Sequence, residues 1–286
     1  NSCQSVNLLF HHRNKERGMG SRKLNGQNIV ITGASSGIGR AMATQLVRSG
    51  NHVLALARRE ERLVELQSEL KLAAGSLAYL AGDVTLAGYR QSVLDWISEY
   101  WGGTLDVLVN NAGIGSIGAF AESDEETLRK VMEVNFFAAV ELTRLFLSAL
   151  KQSEAPVVCN IASVLGHTAM PLKTEYCASK FAMHGFSDAL RIELAAEGID
   201  VALVSPSTTR SEFFASVLSG ASQQPKGMPA DKVATLAVKA IRKGKREVLL
   251  SWGGRCLVAA DRLLPSTLSR ILARWYARQS ALKARG

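Results

Sequence analysis

The sequence predicts an α/β fold: a single doubly wound parallel sheet of about seven strands, with helices on both faces and a C-terminal helical extension. Through most of the 286 residues, short apolar runs alternate with longer segments of helical periodicity, which is typical of βαβ units. The first apolar run also leads directly into a glycine-rich turn and a helical stretch. This order of strand, tight turn and helix is common at the start of such sheets.

The predicted strands share an apolar centre flanked by turn residues, and they cover residues 28–32, 52–57, 77–81, 105–109, 157–161, 199–204 and 247–250. Predicted helices between them include residues 59–72, 122–150 and 175–197. The first carries leucines on one face. The second begins with a capping box formed by Ser123 and Glu126, and the third ends at Gly198, because glycine commonly stops a helix.

The net charge of +9 is concentrated at the two ends of the chain. Residues 1–23 hold five Lys or Arg and one acidic residue, and residues 239–286 hold twelve against two, whereas residues 24–238 hold 17 against 22. We therefore expect a basic, disordered segment at 1–23, one α/β domain at 24–250 and a basic amphipathic helical tail at 251–286. The mildly acidic centre argues against a nucleic-acid-binding core.

The cysteines and histidines indicate neither a disulfide framework nor a metal site. Four cysteines show no Cys-x-x-Cys spacing, and the five histidines show no metal-ligand spacing. No apolar run reaches the ~20 residues that cross a bilayer, and the apolar patch near the start is too short for a signal peptide core. We expect a cytoplasmic protein with reduced thiols, with membrane association through the tail as an open alternative.

The first turn, Thr32-Gly33-Ala34-Ser35-Ser36-Gly37-Ile38-Gly39, has the features of a phosphate-binding loop. Glycines allow a backbone to approach a phosphate closely, and the following helix N-terminus supplies N–H donors. The second strand ends in Ala57-Arg58-Arg59, where an acidic residue would bind the ribose hydroxyls of NAD. Arg58 and Arg59 instead suit a 2′-phosphate and predict NADP(H), with Arg40 as a possible helper, unless both arginines simply face water.

Tyr176 and Lys180 are the chain's main catalytic candidates. Four residues apart on a helix, they share one face. A fixed positive charge beside a phenol lowers its pKa from the ordinary value of ~10, which makes the tyrosine a usable acid and base. The spacing alone is common by chance, so the interpretation depends on its neighbours, beginning with Ser163.

Together these residues resemble the short-chain dehydrogenase/reductase family over residues 24–250. Five motifs occur in order: the glycine turn, Asp83-Val84, Asn110-Asn111-Ala112-Gly113, Asn135, and Ser163 with Tyr176 and Lys180. The resemblance implies that Asn135, Ser163, Tyr176 and Lys180 are catalytic. It also implies a set of cofactor-binding residues: Gly33, Ser35, Ser36, Gly37, Ile38, Gly39, Arg58, Arg59, Asp83, Val84, Asn111, Ala112, Gly113, Tyr176, Lys180, Pro206 and Ser211.

The catalytic roles that the resemblance implies agree with the chemistry of the residues. Ser163 would bond the substrate oxygen and Tyr176 would exchange the proton, while Lys180 would bind the nicotinamide ribose and lower the tyrosine pKa. Asn135 would hold a water that relays protons to the lysine. Hydroxyl donors at a developing alkoxide stabilise its charge, and the nicotinamide itself supplies the hydride.

One motif departs from the family pattern, in which Pro-Gly follows the sixth strand and a threonine lies four residues beyond that glycine. Here Pro206 is followed by Ser207, and Ser211 occupies the threonine position. Since glycine adopts positive φ at little cost, serine is expected to reshape this turn beside the nicotinamide. The Ser211 hydroxyl would still bond the carboxamide.

Two segments are expected to flank the substrate, residues 165–174 and 210–228. Met170 in the first and Phe213 in the second would line the pocket beside Ser163 and Tyr176. Phe214, Val217 and Leu218 continue the second at near-helical spacing, as in a mobile lid with an apolar inner face. The same side chains are equally typical of loop anchors.

The sequence therefore predicts an NADP(H)-dependent oxidoreductase that acts on a carbonyl or secondary alcohol, with an apolar, acyl or lipid-like small-molecule substrate. A 3-oxoacyl thioester reductase is the alternative enzyme, and a non-catalytic nicotinamide-binding sensor or scaffold is the alternative of another class. The family resemblance further implies a homo-oligomer, a dimer or a tetramer. For the tail, packing on the body or on another subunit is favoured over contact with an anionic membrane.

Overall fold

The structure is a computed structural model that describes residues 22–210, 212–213 and 227–283. Most of the predicted basic segment at 1–23 and much of the predicted lid lie outside the described residues. Within the described part, seven strands form one sheet in the order β3-β2-β1-β4-β5-β6-β9, and every neighbouring pair is parallel. The strands are β1 (Asn28–Thr32), β2 (His52–Ala57), β3 (Ser76–Ala81), β4 (Val107–Asn110), β5 (Val157–Ile161), β6 (Asp200–Ser205) and β9 (Glu247–Leu249).

Two further short strands, β7 (Thr209–Arg210) and β8 (Met228–Pro229), pair with each other outside the main sheet. The helices alternate with the strands as predicted. They are α1 (Gly37–Arg48), α2 (Glu60–Glu69), α3 (Ala87–Tyr100), α4 (Glu125–Met132), α5 (Ala138–Lys151), α6 (Thr174–Ala195), α7 (Ala230–Arg242), α8 (Trp252–Leu263) and α9 (Pro265–Lys283).

Alternate residues of the strands bury their side chains on opposite faces of the sheet, as the period of two requires. Ile29 and Ile31 of β1 join a core that contains apolar residues of α1, α2 and α7. Val30, between them, joins a second core with residues of α3, α5 and α6. Helices therefore cover both faces, and the predicted doubly wound sheet with its C-terminal helical region is confirmed.

The predicted long helix at 122–150 is wrong in two respects. Its N-cap is Asp124, whose side chain accepts a hydrogen bond from the Thr127 N–H at 2.7 Å, whereas Ser123 closes a preceding 3₁₀ turn. The helix is also interrupted by a π-helical segment, Glu133–Phe137, between α4 and α5. Asn135 lies in this segment. A π-helix places one extra residue in a turn, and such segments are frequent at functional sites.

The order of the strands positions a cleft. The chain runs from β1 outward to the edge strand β3 and then returns to place β4 on the other side of β1. At this reversal the loops after β1 and β4 diverge to opposite faces, so a crevice opens at the carboxyl ends of the strands.

Candidate active site

A cleft of about 1090 Å³ lies over the carboxyl ends of the strands. Most of the residues that the sequence analysis singled out for cofactor and substrate line it: Gly33, Ser35, Ser36, Gly37, Ile38, Arg58, Arg59, Asp83, Val84, Asn111, Ala112, Gly113, Ser163, Met170, Tyr176, Lys180, Pro206 and Phe213. Gly39 and Asn135 lie behind the cleft wall rather than in it, and Ser211 lies outside the described residues.

The glycine turn is built for close backbone packing. Gly33 has a φ of +66°, a backbone conformation that residues with a side chain rarely adopt. A Cβ at Gly39 would lie 2.4 Å from the Gly33 carbonyl oxygen, so Gly39 is required for packing of the turn on α1 rather than for contact with a ligand. The amide of Asn111 donates to the Thr32 and Gly33 carbonyls at 2.9 and 3.2 Å. These bonds join the loops after β1 and β4.

Arg58 and Arg59 are exposed on the cleft wall at the end of β2. One Arg59 nitrogen donates to the hydroxyls of Ser35 and Ser36 at 3.1 and 2.9 Å. Another donates to the carboxylate of Glu212 at 3.0 Å. Arg59 therefore spans the opening between the glycine turn and the segment after β7.

Arg40 does not help at this end of the cleft. Its guanidinium donates to the Glu69 carboxylate at 2.8 Å and lies 3.6 Å from Glu65. The expectation that Arg40 assists with a 2′-phosphate is not supported, because these two acidic residues of α2 already engage it.

Farther along the cleft, Asp83 is held by its own turn. Its carboxylate accepts from the Thr85 N–H at 2.9 Å and from the Thr85 hydroxyl at 2.8 Å. Val84 is buried against the core beneath α3. The cofactor-binding residues predicted at Asp83 and Val84 thus belong to a short turn at the end of β3, which hydrogen bonds to Thr85 hold in place.

Ser163, Tyr176 and Lys180 meet at the other end. Ser163 follows β5, and the helical periodicity of α6 aligns Tyr176 and Lys180 on one side as predicted. The Lys180 ammonium lies 5.7 Å from the centre of the Tyr176 ring and donates to the Ile161 carbonyl at 3.1 Å. Gly166 packs so closely on α6 that a Cβ there would lie 2.5 Å from the Lys180 carbonyl oxygen. The loop after Ser163 is therefore fixed against the helix that carries the other two residues.

The sequence predicts that a neighbouring positive charge lowers the pKa of Tyr176. With only the protein's own groups around it, this prediction is wrong. Burial raises the pKa of Tyr176 to about 12, and the hydrogen bond with Ser163 opposes only part of that rise. Burial also lowers the pKa of Lys180 to about 8. Removal from water disfavours the charged form of both groups, and this outweighs the attraction expected between phenolate and ammonium. Near neutral pH the tyrosine is a protonated hydroxyl.

Asn135 is buried behind these residues in the π-helical segment. Its amide donates to the Ile114 carbonyl and to the Ser179 hydroxyl, both at 3.0 Å, and its oxygen accepts from the Ile114 N–H at 2.8 Å. The side chain thus connects the loop after β4 to α6 beside Lys180. These contacts give Asn135 a positioning role in addition to any water that it holds.

The substrate side has an apolar wall. The Phe213 ring stands edge-on to Tyr176 with centroids 5.7 Å apart, and Met170 packs with Tyr176 in a small buried cluster. Phe214, Val217 and Leu218, which the lid prediction includes, lie outside the described residues.

The turn after Pro206 does not need glycine. Among the described residues Leu172 is the non-glycine residue with positive φ, at +67°, so Ser207 adopts an ordinary conformation. The Pro206 carbonyl accepts from the Val164 N–H at 2.9 Å and ties this turn to the loop after Ser163. Ser207 therefore lies in this turn without backbone strain, and a difference from the glycine-containing turn of the family stays a prediction.

Sequence reasoning missed two contributors to the site. Glu212 was not considered, because its partner Arg59 is 153 residues away. Glu175, next to Tyr176, is buried and accepts from the Ser116 hydroxyl at 2.7 Å, which anchors the start of α6 to the loop after β4. No motif marks either residue.

Comparison with known proteins identifies the class. Residues 27–221 match the family model for short chain dehydrogenases. The chain is 37% identical over 193 residues to the Hydroxysteroid 11-beta-dehydrogenase 1-like protein B of Xenopus laevis, covering 66% of this chain and 65% of that protein. It is 29% identical over 266 residues to the Ketoacyl reductase HetN of Nostoc sp., covering 88% and 90% of the two chains.

Solved structures give the same result. A short-chain dehydrogenase/reductase from Burkholderia phymatum in complex with NAD superposes with a TM-score of 0.77 at 26% identity, covering 84% of this chain and 94% of that one. An alcohol dehydrogenase from Thermococcus sibiricus complexed with 5-hydroxy-NADP gives 0.70 at 26% identity, covering 78% and 95%. The chain belongs to the short-chain dehydrogenase/reductase family, whose enzymes act on alcohol and carbonyl groups.

Proposed function

We propose that this chain is an NADP(H)-dependent reductase of apolar carbonyl compounds, able to run in reverse as an alcohol dehydrogenase. One observation carries the proposal: a single cleft joins a phosphate-binding turn flanked by two arginines to the group of Ser163, Tyr176 and Lys180. The chemistry needs both ends, because a nicotinamide cofactor must be held along its length while its reactive ring faces the substrate.

The residues present fit NADP(H). The glycine turn lets a backbone approach a pyrophosphate, and the wall at the end of β2 carries Arg58 and Arg59 where the cleft is exposed. Their guanidinium groups suit a phosphate on the adenosine ribose. β2 ends at Ala57, so the strand itself offers no carboxylate to a ribose hydroxyl, and the Glu212 carboxylate that reaches Arg59 comes from the segment after β7. Similar solved structures hold NAD in one case and 5-hydroxy-NADP in the other, so the preference rests on these arginines.

Tyr176 is suited to give a proton. With its pKa raised to about 12, the phenol is protonated near neutral pH, as a donor to a carbonyl oxygen must be. When bound, the nicotinamide supplies a hydride to the carbonyl carbon. Ser163 donates a hydrogen bond to the same oxygen and Tyr176 transfers its proton there, so that an alcohol results. Lys180 then stabilises the phenolate that remains until solvent returns the proton.

The substrate is inferred to be apolar because of the ring that faces the proton donor. Phe213 contacts Tyr176 directly, and Met170 lies beside it. Neither side chain donates hydrogen bonds to hydroxyl groups. An aliphatic or alicyclic ketone is therefore favoured over a sugar, and a relative is named for a hydroxysteroid.

The test is NADPH oxidation by the purified full chain over a carbonyl panel. We expect turnover with cyclic and long-chain ketones and none with aldoses. Turnover confined to small polar sugars would contradict the apolar assignment, and absence of turnover with every carbonyl would favour the nicotinamide-bound sensor.

A second candidate is reduction of 3-oxoacyl thioesters, favoured by the similarity to a ketoacyl reductase over most of both chains. The same panel separates the two, because a thioester reductase should act on 3-oxoacyl thioesters at much lower concentrations than on simple ketones. Equal use of both would assign no preference for the thioester.

We also propose that α9 lies on an anionic lipid surface. Packing of its apolar side on the body of the chain, the favoured expectation, is not what the described residues show, because none of residues 265–279 is buried. Ile271 and Trp275 remain 54% and 41% exposed. Arg270, Arg274 and Arg278 are present and residues 265–283 contain no acidic residue, a composition typical of interfacial helices. Among the described helices none has the length and apolar character to cross a bilayer.

Vesicle co-sedimentation tests this contact. The chain should sediment with vesicles rich in phosphatidylserine at low salt and much less with phosphatidylcholine alone. Replacing Ile271 and Trp275 with Ser should abolish sedimentation, whereas Ile192→Ser, at an exposed position of α6, should not. If the same double replacement instead splits an oligomer and vesicles are ignored, α9 pairs two subunits.

A further inference from the structure

Three side chains outside the cleft form a compact cluster: His167, His184 and Glu247. His167 follows the short turn after Ser163, His184 lies on α6, and Glu247 begins the edge strand β9. Each offers one ligand atom, and the three atoms all lie within 4.8 Å of one another. None of the three lines the cleft, so the proposed reaction does not explain them.

The hydrogen bonds of His184 determine which of its nitrogens is available. Its Nδ1 lies 2.9 Å from the Gly166 carbonyl oxygen, which can only accept, so Nδ1 carries a proton. In the neutral ring Nε2 therefore has a lone pair. That lone pair faces the Asp188 carboxylate at 3.4 Å. The Arg191 guanidinium already balances the charge of Asp188, which leaves the His184 Nε2 available to bind a cation. A ring fixed through its other nitrogen by a backbone carbonyl is the usual arrangement of a metal-binding histidine.

His167 and Glu247 complete the donor set. The His167 Nε2 lies 3.4 Å from the Glu247 Oε1 and 2.9 Å from the Ser205 hydroxyl. Two ligands that each lie about 2.1 Å from a tetrahedral ion are about 3.4 Å apart. The His167 side chain is buried and its Nδ1 has no hydrogen-bond partner among the described residues.

We propose that His167, His184 and Glu247 bind one divalent transition-metal ion of the zinc type, with a fourth position open to water. Two imidazoles and one carboxylate are a donor set that zinc takes, whereas Mg²⁺ and Ca²⁺ prefer oxygen ligands alone. The carboxylates of Glu247 and Asp188 offset the positive charge of Arg262, which acts on His167 from α8. Arg191 also pairs with Asp188, at 2.6 Å.

The ion would tie three segments of the chain together. His167 is four residues beyond Ser163, and His184 is four residues beyond Lys180. Glu247 adds the last strand of the sheet. The site is therefore structural: it holds the loop of Ser163 and the helix of Lys180 in a fixed relation, and bound metal should raise the melting temperature.

The test is Zn²⁺ titration by isothermal calorimetry on the full chain, purified with a histidine-free tag and stripped with chelator. We expect one ion per chain, with affinity reduced by more than about 100-fold by His184→Ala or Glu247→Ala, because loss of even an outer-shell partner of a ligand costs about tenfold to 100-fold. Because His167 is buried, the replacements are made at the more exposed His184 and Glu247. Circular dichroism checks that both variants fold. His52→Ala, the exposed histidine on β2, is the matched control and should bind zinc like the parent.

Two further variants separate this site from other zinc ligands. The adjacent His11 and His12 are replaced together by Ala, and the exposed Cys256 by Ser; both variants should retain the ion. No saturable binding in molar excess of zinc would overturn the proposal. So would binding that survives His184→Ala and Glu247→Ala but vanishes when His11 and His12 are replaced. In a matched melting experiment zinc should raise the transition of the parent and of His52→Ala, and leave that of His184→Ala unchanged.

Discussion

Replacing Glu212 with Gln should tighten NADPH binding without tightening NADH binding. The Glu212 carboxylate lies 3.0 Å from Arg59 and 3.7 Å from Arg62, at the end of the cleft where a 2′-phosphate is proposed to bind. It therefore competes with the phosphate for Arg59 and also repels it. Glutamine keeps the shape of the side chain and removes the charge, while Arg59 keeps its bonds to Ser35 and Ser36.

The magnitude follows from exposure and distance. Both Arg59 and Glu212 side chains are 44% exposed, so breaking their ion pair costs the competing phosphate only about 0.2–1 kcal/mol. Repulsion between two unit charges about 4 Å apart in water adds about 1 kcal/mol. Together these give about 1.2–2 kcal/mol, or about eightfold to 30-fold in the dissociation constant. NADH lacks the phosphate, so its affinity should change by less than about twofold.

The assay is titration of cofactor fluorescence with the parent, Glu212→Gln and Glu61→Gln. Glu61 is an exposed residue of α2 outside the cleft lining, so its replacement controls for a general loss of negative charge. Raising the salt concentration should shrink the Glu212 effect, because exposed charges are screened. Equal gains for NADPH and NADH, or weaker NADPH binding, would show that Glu212 does not compete with the 2′-phosphate for Arg59.

Three further predictions concern the cofactor and the catalytic helix. Arg58→Ala should weaken NADPH about tenfold or more in the same titration and leave NADH nearly unchanged, because a charged hydrogen bond is worth about 1.5–3 kcal/mol; equal losses would remove the cofactor preference. Gly39→Ala should abolish binding of both cofactors and lower the melting temperature, since its Cβ would lie 2.4 Å from the Gly33 oxygen, whereas Gly88→Ala, where a Cβ meets nothing within 4 Å, should be tolerated. Burial lowers the pKa of Lys180 to about 8, so between about pH 8 and the ordinary lysine value near 10.4 the unfolded chain holds a proton that the folded chain has released. Stability to urea should therefore rise with pH in that window, and a parent and a Lys180→Met variant with the same pH slope would contradict this.

The strands could be predicted because a strand that is buried on both faces of the sheet has apolar residues at successive positions of the sequence. In a parallel sheet covered by helices, each strand is a short apolar run, and β1, β2 and β5 begin and end at the predicted residues. The glycine turn could also be predicted, since it follows a predicted strand directly. Tyr176 and Lys180 share a face because helical geometry alone determines it.

What the sequence did not reveal depends on distant contacts and on desolvation. The N-cap of α4 was placed one residue early, because Ser123 and Asp124 are both good caps and only the fold selects between them. The rise in the Tyr176 pKa comes from the protein that surrounds it, which no spacing records. Glu212 meets Arg59, and Glu247 meets His167, only after residues far apart in the chain are brought together.

Tyr176→Phe tests whether Tyr176 gives the proton in carbonyl reduction. The change removes one hydroxyl and keeps the ring that contacts Phe213. With the best ketone from the panel, kcat/KM for NADPH-dependent reduction should fall by about 10²–10⁴-fold, while the dissociation constant for NADPH stays within about threefold. Turnover that is unchanged in Tyr176→Phe would show that another group gives the proton.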